Sequence, residues 1–323
     1  MPDFFRGISE TTSARTRIGY AYDLMIFFRF LTEERPSFTG KRIADLTLGD
    51  LKNVAARDIE MFMEFLSYYK KTETNAEHHN EECGKSRKLS AVRSMFAYFY
   101  KRGYLPANPS QLVDFPKIHE KAITRLEINE VAKLLDTVES GDDLSENQQK
   151  YHKFTKNRDL AIITLLLGTG MRVSECVGID INHIDFDMSG IKVTRKGGNE
   201  TILYFGEEVG DAIGMYLEER VKVDALPGHE NALFLSMQKR RLTDRAIQNL
   251  VKKYSSIVTR LKNISPHKLR STFGTTLYRE TGDIYLVADI LGHADVNTTR
   301  RHYAEVGEEQ RRKAAKNVRL RKD

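Results

Sequence analysis

Six side chains in the second half of the chain have the types and spacing to handle an anion. Arg172 lies in GTGMRVSE, Lys196 follows twenty-four residues later in VTRKGGNE, and PHKLRSTFGT carries His267 and Arg270. An LGH triplet ends at His293, and Tyr303 stands ten residues beyond it in LGHADVNTTRRHYAEV. Three residues separate His267 from Arg270, which at the start of a helix places both on one face, able to address one anion. A lysine at a turn tip is a mobile cation that can reach a bound ligand. A free tyrosine has a pKa of about 10, so only about one in a thousand is ionised at pH 7. A cationic pocket favours the phenolate and so makes a nucleophile of it. Read one at a time, each group also has a plain structural explanation. Arg172 suits a helix start paired with Glu175, Lys196 a solvated turn, the LGH triplet a helix cap, and Tyr303 is one of fourteen tyrosines.

The surrounding patterns say what must position these groups. Arg172 follows the apolar run LAIITLLL at 160–167, a buried helix broken by Gly168 and Gly170. Lys196 stands between IKVTR and GGN, and Gly197-Gly198 between two β-rich runs predicts a hairpin with a two-residue turn. Helical patterns cover 127–138, 157–170, about 208–224 and about 243–260, and nearly everything after Pro266. The first hundred or so residues read as helical throughout. Leu24, Phe27, Phe28 and Leu31 form one stripe after a Thr/Ser-rich start, Met61, Phe62, Phe65 and Leu66 a second, and Leu89, Val92, Phe96 and Phe99 a third. Lys85, Arg87, Lys88 and Arg93 lie elsewhere on that third helix, either as a solvated basic face or as one turned towards a polyanion. TETNAEHHNEECG reads as a loop. Its His78, His79 and Cys83 have no fourth ligand at a suitable spacing, so no metal site is expected. The fold class is therefore mainly α with a small antiparallel β-sheet, in two domains: a helical domain over 1–116, a charged linker over 117–121, and a larger domain over 122–323.

Composition narrows the setting. The chain has 323 residues, and 51 Lys and Arg against 45 Asp and Glu give a net charge of +6, a balance that favours a polyanionic partner. Cys83 and Cys176 are far apart and suggest no disulfide framework, which fits a reducing cytoplasm. The start MPDFFRGISE lacks a signal-peptide pattern, and the longest apolar run is eight residues, too short to span a bilayer. A cytoplasmic protein with no membrane partner is expected.

Taken together, Arg, Lys, His-x-x-Arg, LGH and Tyr in that order resemble the tyrosine recombinase signature, and within that family the chain is most similar to the Xer recombinases. The likeness covers nearly the whole chain. It is strongest at GTGMRVSE, VTRKGG, SPHKLRSTFGTTLY and LGHADVNTTRRHY, and weaker over the helical front. The resemblance implies a two-domain DNA clamp, with a core-binding domain on one face of the duplex and a catalytic domain on the other. It implies site-specific cutting and rejoining of DNA through a 3′-phosphotyrosine, without metal, ATP or other cofactor. Arg172 and Arg270 would clamp the phosphodiester, His267 and His293 would add hydrogen bonds, and Lys196 would be the general acid and Tyr303 the nucleophile. The implied partners are a duplex recombination site, three further copies in a homotetramer spanning two sites, and in some members a partner recombinase or directionality factor. Family members exchange a C-terminal helix between subunits, for which GEEQRRKAAKNVRLRKD is the candidate.

One departure bears on the biological role. Most Xer proteins place the tyrosine nine residues after the LGH histidine, whereas here His302 is ninth and Tyr303 tenth. Ten is familiar among related integrases. Tyr278 and Tyr285 precede His293 and do not fit the motif. Chromosome-dimer resolution and integration or excision of a mobile element both stay open. Two readings from other classes are a non-catalytic DNA-binding protein, opposed by the complete residue set, and a type IB topoisomerase, opposed by the compact front domain.

Overall fold

Apolar stripes at helical spacing settle most of this architecture. The computed structural model describes residues 1–70, 77–118, 124–195, 197–293 and 295–296. The chain forms two compact units, Met1–Lys121 and Ala122–Asp323. Lys196, Tyr303 and the basic C-terminal stretch lie outside the described residues.

In the first unit, helices α1 (Pro2–Gly7), α2 (Ala14–Glu34), α3 (Leu48–Leu51), α4 (Ala56–Phe65) and α5 (Glu82–Lys101) surround an aromatic core. The Ser13 hydroxyl caps α2 by accepting from the Thr16 amide at 3.1 Å. Phe27 of α2 meets Phe62 of α4 at 5.0 Å and Phe96 of α5 at 6.3 Å, edge to face in both cases. The helical reading of this unit needs one correction. Two strands of two residues, β1 (Tyr69–Lys70) and β2 (Glu77–His78), pair antiparallel with Tyr69 opposite His78. The stacked rings of that pair, 5.5 Å apart, supply what two such short strands cannot by themselves.

The second unit comprises α6 (Ile128–Ser140), α7 (Glu146–Thr169), α8 (Val173–Val177), the strands β3 (Ile184–Asp185), β4 (Gly190–Thr194) and β5 (Glu200–Tyr204), then α9 (Glu207–Arg220), α10 (Asp244–Val258), α11 (Pro266–Thr281) and α12 (Ile284–Leu291). The strands form one antiparallel sheet in the order β3-β4-β5, with Ile191 opposite Leu203. Helix α7 is central and packs against α6, α9 and α11. It begins well before its apolar run because Ser145 and Gln148 form a capping box around a polar first half. Gly168 stays inside the helix instead of breaking it. A Cβ there would lie 2.4 Å from the Val209 side chain, so the glycine serves the close approach of α9.

A buried ionic hub joins α7 to α10. Asp159, 1% exposed, accepts from the Tyr254 hydroxyl at 2.9 Å, the Lys253 ammonium at 3.1 Å, the Arg158 guanidinium at 2.6 Å and the Thr155 hydroxyl at 3.2 Å. Burial first, and then the Asp159 carboxylate, push the Tyr254 phenol above its ordinary pKa, so it remains a donor. Asp159→Ala removes the acceptor of two cations and two buried hydroxyls. It is expected to cost about 3–5 kcal/mol in urea unfolding of the intact chain, with Tyr254→Phe costing roughly a third as much.

Candidate active site

The site is organised by the C-terminal end of α12. Asp283 starts this helix by accepting from the amides of Tyr285 and Leu286 at 2.8 and 3.1 Å, and Gly292 ends it in the left-handed region at φ 60°. A helix end leaves its last carbonyls without partners and carries partial negative charge. Guanidiniums meet four carbonyls here in succession, the first of which, that of Asp289, also accepts from the Gly292 amide at 2.8 Å. Arg195 donates to the carbonyls of Asp289 at 3.3 Å and Ile290 at 2.9 Å. Arg270 donates to that of Leu291, and Arg172 to that of Gly292 at 2.9 Å. The next residue is His293, half-buried, its amide bonded to the Ala288 carbonyl at 2.9 Å.

Each arginine is also held from its own side. Helix α7 ends at Gly170, φ 62°, whose carbonyl accepts from Arg270 at 2.7 Å. The chain then turns into α8 so that Glu175, 3% exposed at its side chain, accepts from the Arg172 guanidinium and from its amide, both at 2.8 Å. Glu175 thus braces Arg172, as the residue order suggested. Arg270 is 7% exposed and Arg172 about a third exposed. His267, one turn before Arg270 in α11, is exposed, with Pro266 beside it at the helix start.

The structure therefore brings Arg172, Arg270 and His293 together and sets His267 on the turn of α11 that carries Arg270. The hairpin arrives through Arg195, the residue before Lys196. Its amide donates to the Asn199 carbonyl at 2.7 Å and its carbonyl accepts from the Gly198 amide at 3.0 Å. The connection is one residue longer than the two-residue turn that Gly197-Gly198 suggested, with both glycines at positive φ.

The four basic residues of α5 do not share one face. Lys88 is 5% exposed, donates to the Asn80 side chain at 2.7 Å, and has its pKa lowered by burial. Arg93 donates to the carbonyls of Ser110 and Val113 and lies 4.2 Å over the Phe115 ring. Arg87 pairs with buried Asp23 while its guanidinium stays largely exposed, and Lys85 is half-buried. His78 stacks on Tyr69 and His79 against Tyr68, and among the described residues no cluster of His, Cys, Asp and Glu could hold a metal ion. No helix among the described residues is long and apolar enough to cross a membrane.

Missed in the sequence were Arg195 and the role of Gly292. The adjacency of an arginine to Lys196 was visible, but its reach across 94 residues of chain was not.

In its fold the chain is a two-unit, mostly helical protein similar to DNA recombinases of known structure. It resembles the XerH site-specific recombinase bound to palindromic difH substrate in a post-cleavage complex (TM-score 0.68, 20% identity, 93% of this chain and 79% of that one). It resembles a lambda integrase dimer bound to a COC′ core site to a similar degree (TM-score 0.66, 13% identity, 94% and 93%). Residues 124–310 match the phage integrase family, and the chain belongs to that family, the tyrosine recombinases. The matched span includes all six residues of the signature. Tyrosine recombinase XerC of Caldanaerobacter subterraneus subsp. tengcongensis is 32% identical over 314 residues, 94% of this chain and 82% of that protein. Tyrosine recombinase XerC of Chlorobaculum tepidum is 30% identical over 301 residues, covering 90% and 85%.

Gly170→Ala tests the geometry independently of any reaction. The new Cβ would lie 2.3 Å from the Phe273 ring and 3.0 Å from Leu291, at a φ that L side chains rarely adopt. Left-handed strain of about 1–2 kcal/mol and overpacking of about 1–3 kcal/mol are expected to add in urea unfolding.

Proposed function

We propose that this recombinase cuts and rejoins duplex DNA at a specific site through a covalent bond between Tyr303 and a 3′-phosphate. The observation that carries this reading is the convergence of Arg172 and Arg270 on adjacent carbonyls at the end of α12, beside His293. Two guanidiniums fixed there stay charged at any working pH and can each take non-bridging oxygens of one phosphodiester. They meet the charge that develops on the pentacoordinate phosphorus without having to reorganise.

In the proposed step the Tyr303 oxygen forms a bond to phosphorus as the bond from phosphorus to the 5′-oxygen breaks. The phenolic proton passes to His267 or His293, and Lys196 protonates the departing 5′-oxygen. The phosphoester is kept, so a 5′-hydroxyl from another strand reverses the step and no ATP or metal is called for. The two units would hold opposite faces of the duplex, with the domain of residues 1–116 as the core-binding part, and four copies would act on two sites in the cytoplasm. Of the α5 cations, Lys88 is buried and Arg93 is bonded to two carbonyls, so Lys85 and Arg87 are the better placed to meet phosphate, Arg87 while also paired with Asp23.

Likeness over most of its length to XerC proteins supports chromosome-dimer resolution as the role. One observation favours the alternative, integration or excision of a mobile element: the ten residues from His293 to Tyr303.

Covalent trapping tests the proposal. Nicked duplexes made from the host's genomic DNA are incubated with the intact protein and run on a denaturing gel beside Tyr303→Phe. The expected result is a slow-migrating adduct with wild type, lost by at least about a thousandfold in the variant, as for an absent nucleophile. Retardation on a native gel with no adduct would make this a binding protein only. An adduct that persists in Tyr303→Phe would transfer the role to another residue.

A further inference from the structure

We infer that Arg195 is a positioning residue for the proton-donating step, fixing the hairpin that carries Lys196 to the helix end that carries His293. The inference rests on the assignment of Lys196 as general acid. Arg195 follows the last residue of β4, and its backbone closes the turn through Asn199 and Gly198. Its side chain leaves the sheet and reaches α12, where Nη2 lies 2.9 Å from the Ile290 carbonyl and Nη1 3.3 Å from that of Asp289. The guanidinium lies against Gly292: a Cβ on that residue would be 2.2 Å from Nη1 and 2.7 Å from Cζ. The contact is therefore built into the cap as well as into the hairpin.

The reason such an anchor matters is geometric. Ile191, Val193 and Leu203 hold the body of this hairpin in the core, but its tip extends beyond the last of these apolar anchors and depends on other contacts for its placement. An anchor at Arg195, the residue before Lys196 in sequence, ties that end of the hairpin to α12. This is the helix end that holds Arg172 and Arg270. The hairpin that carries the proton donor is thereby tied to the same helix end as the phosphate clamp, through the two carbonyls before those that Arg270 and Arg172 hold. Misplacement by about 1 Å can cost about a hundredfold in rate. A guanidinium fork spans two successive carbonyls at once, which an ammonium on a flexible stem cannot do as rigidly.

The test separates placement of a proton donor from general damage. Cleavage is followed in single turnover on the nicked duplex recovered by covalent trapping, and on the same duplex with sulfur replacing the bridging 5′-oxygen. A thiolate leaves without needing a proton, so breaking the P–S bond bypasses the general acid. Arg195→Ala is expected to slow cleavage of the oxygen duplex by about 30- to 100-fold and of the sulfur duplex by less than about threefold, with native-gel binding unchanged. Arg195→Lys, which keeps the charge and folds under milder perturbation, should recover part of the oxygen rate and show the same sulfur rescue. Equal losses on both duplexes, or a wild-type oxygen rate in Arg195→Ala, would overturn the inference. Lys196→Ala serves as the reference. If sulfur does not rescue that variant, the general-acid assignment itself falls and takes this inference with it; rescue of Lys196→Ala but not of Arg195→Ala rejects the positioning role alone.

Discussion

The catalytic unit depends on how one helix end is satisfied. Four consecutive carbonyls lie at the C-terminus of α12, from Asp289 to Gly292; that of Asp289 also accepts from the Gly292 amide at 2.8 Å, and the other three are of the kind a helix end leaves without partners. Here they accept from Arg195, Arg270 and Arg172, which arrive from a hairpin, a helix and the start of another helix. Remove the helix end and three cations lose their common reference. Remove the cations and the carbonyls of Ile290, Leu291 and Gly292 lose these donors. Neither part is stable in this arrangement without the other, so a structural requirement and the assembly of a cationic site are met by the same bonds.

Glycines at two helix ends make that convergence possible. Gly170 and Gly292 both adopt left-handed conformations, and a side chain on either would intrude on the groups they bring together. In the first unit, by contrast, cations are consumed by the fold. Lys88 and Arg93 satisfy an amide oxygen and backbone carbonyls, and Asp23 is held by Arg87. A count of basic residues on α5 therefore overstates the charge its surface presents.

Much of this was legible in the sequence, for identifiable reasons. The apolar stripes of α2 and α5 show a period of 3.6 residues and are buried as that period requires, whereas in the stripe at α4 Phe62 and Leu66 are buried and Met61 and Phe65 only partly so. The site motifs were legible because Arg172, Arg270 and His293 stand beside Gly170, Pro266 and Gly292, residues that mark helix ends in the sequence itself. What the sequence hid was long-range or marginal. Lys88 and Arg87 are neighbours that differ in exposure, because only the fold buries one beside Asn80 and leaves the other at the surface against Asp23. The β1–β2 pair is too short for any alternation to register. The start of α7 is polar, and the partners of Arg195 are more than ninety residues away.

The hub at α12 also separates two kinds of electrostatics. Contacts between exposed side chains and DNA phosphates compete with dissolved ions, so affinity should weaken as ionic strength rises. The guanidinium–carbonyl bonds are to neutral dipoles of the protein and do not depend on a counter-charge that dissolved ions could screen, and Arg270 is almost wholly enclosed. Salt should thus titrate how often the enzyme occupies its site while leaving the layout of its cationic pocket nearly untouched.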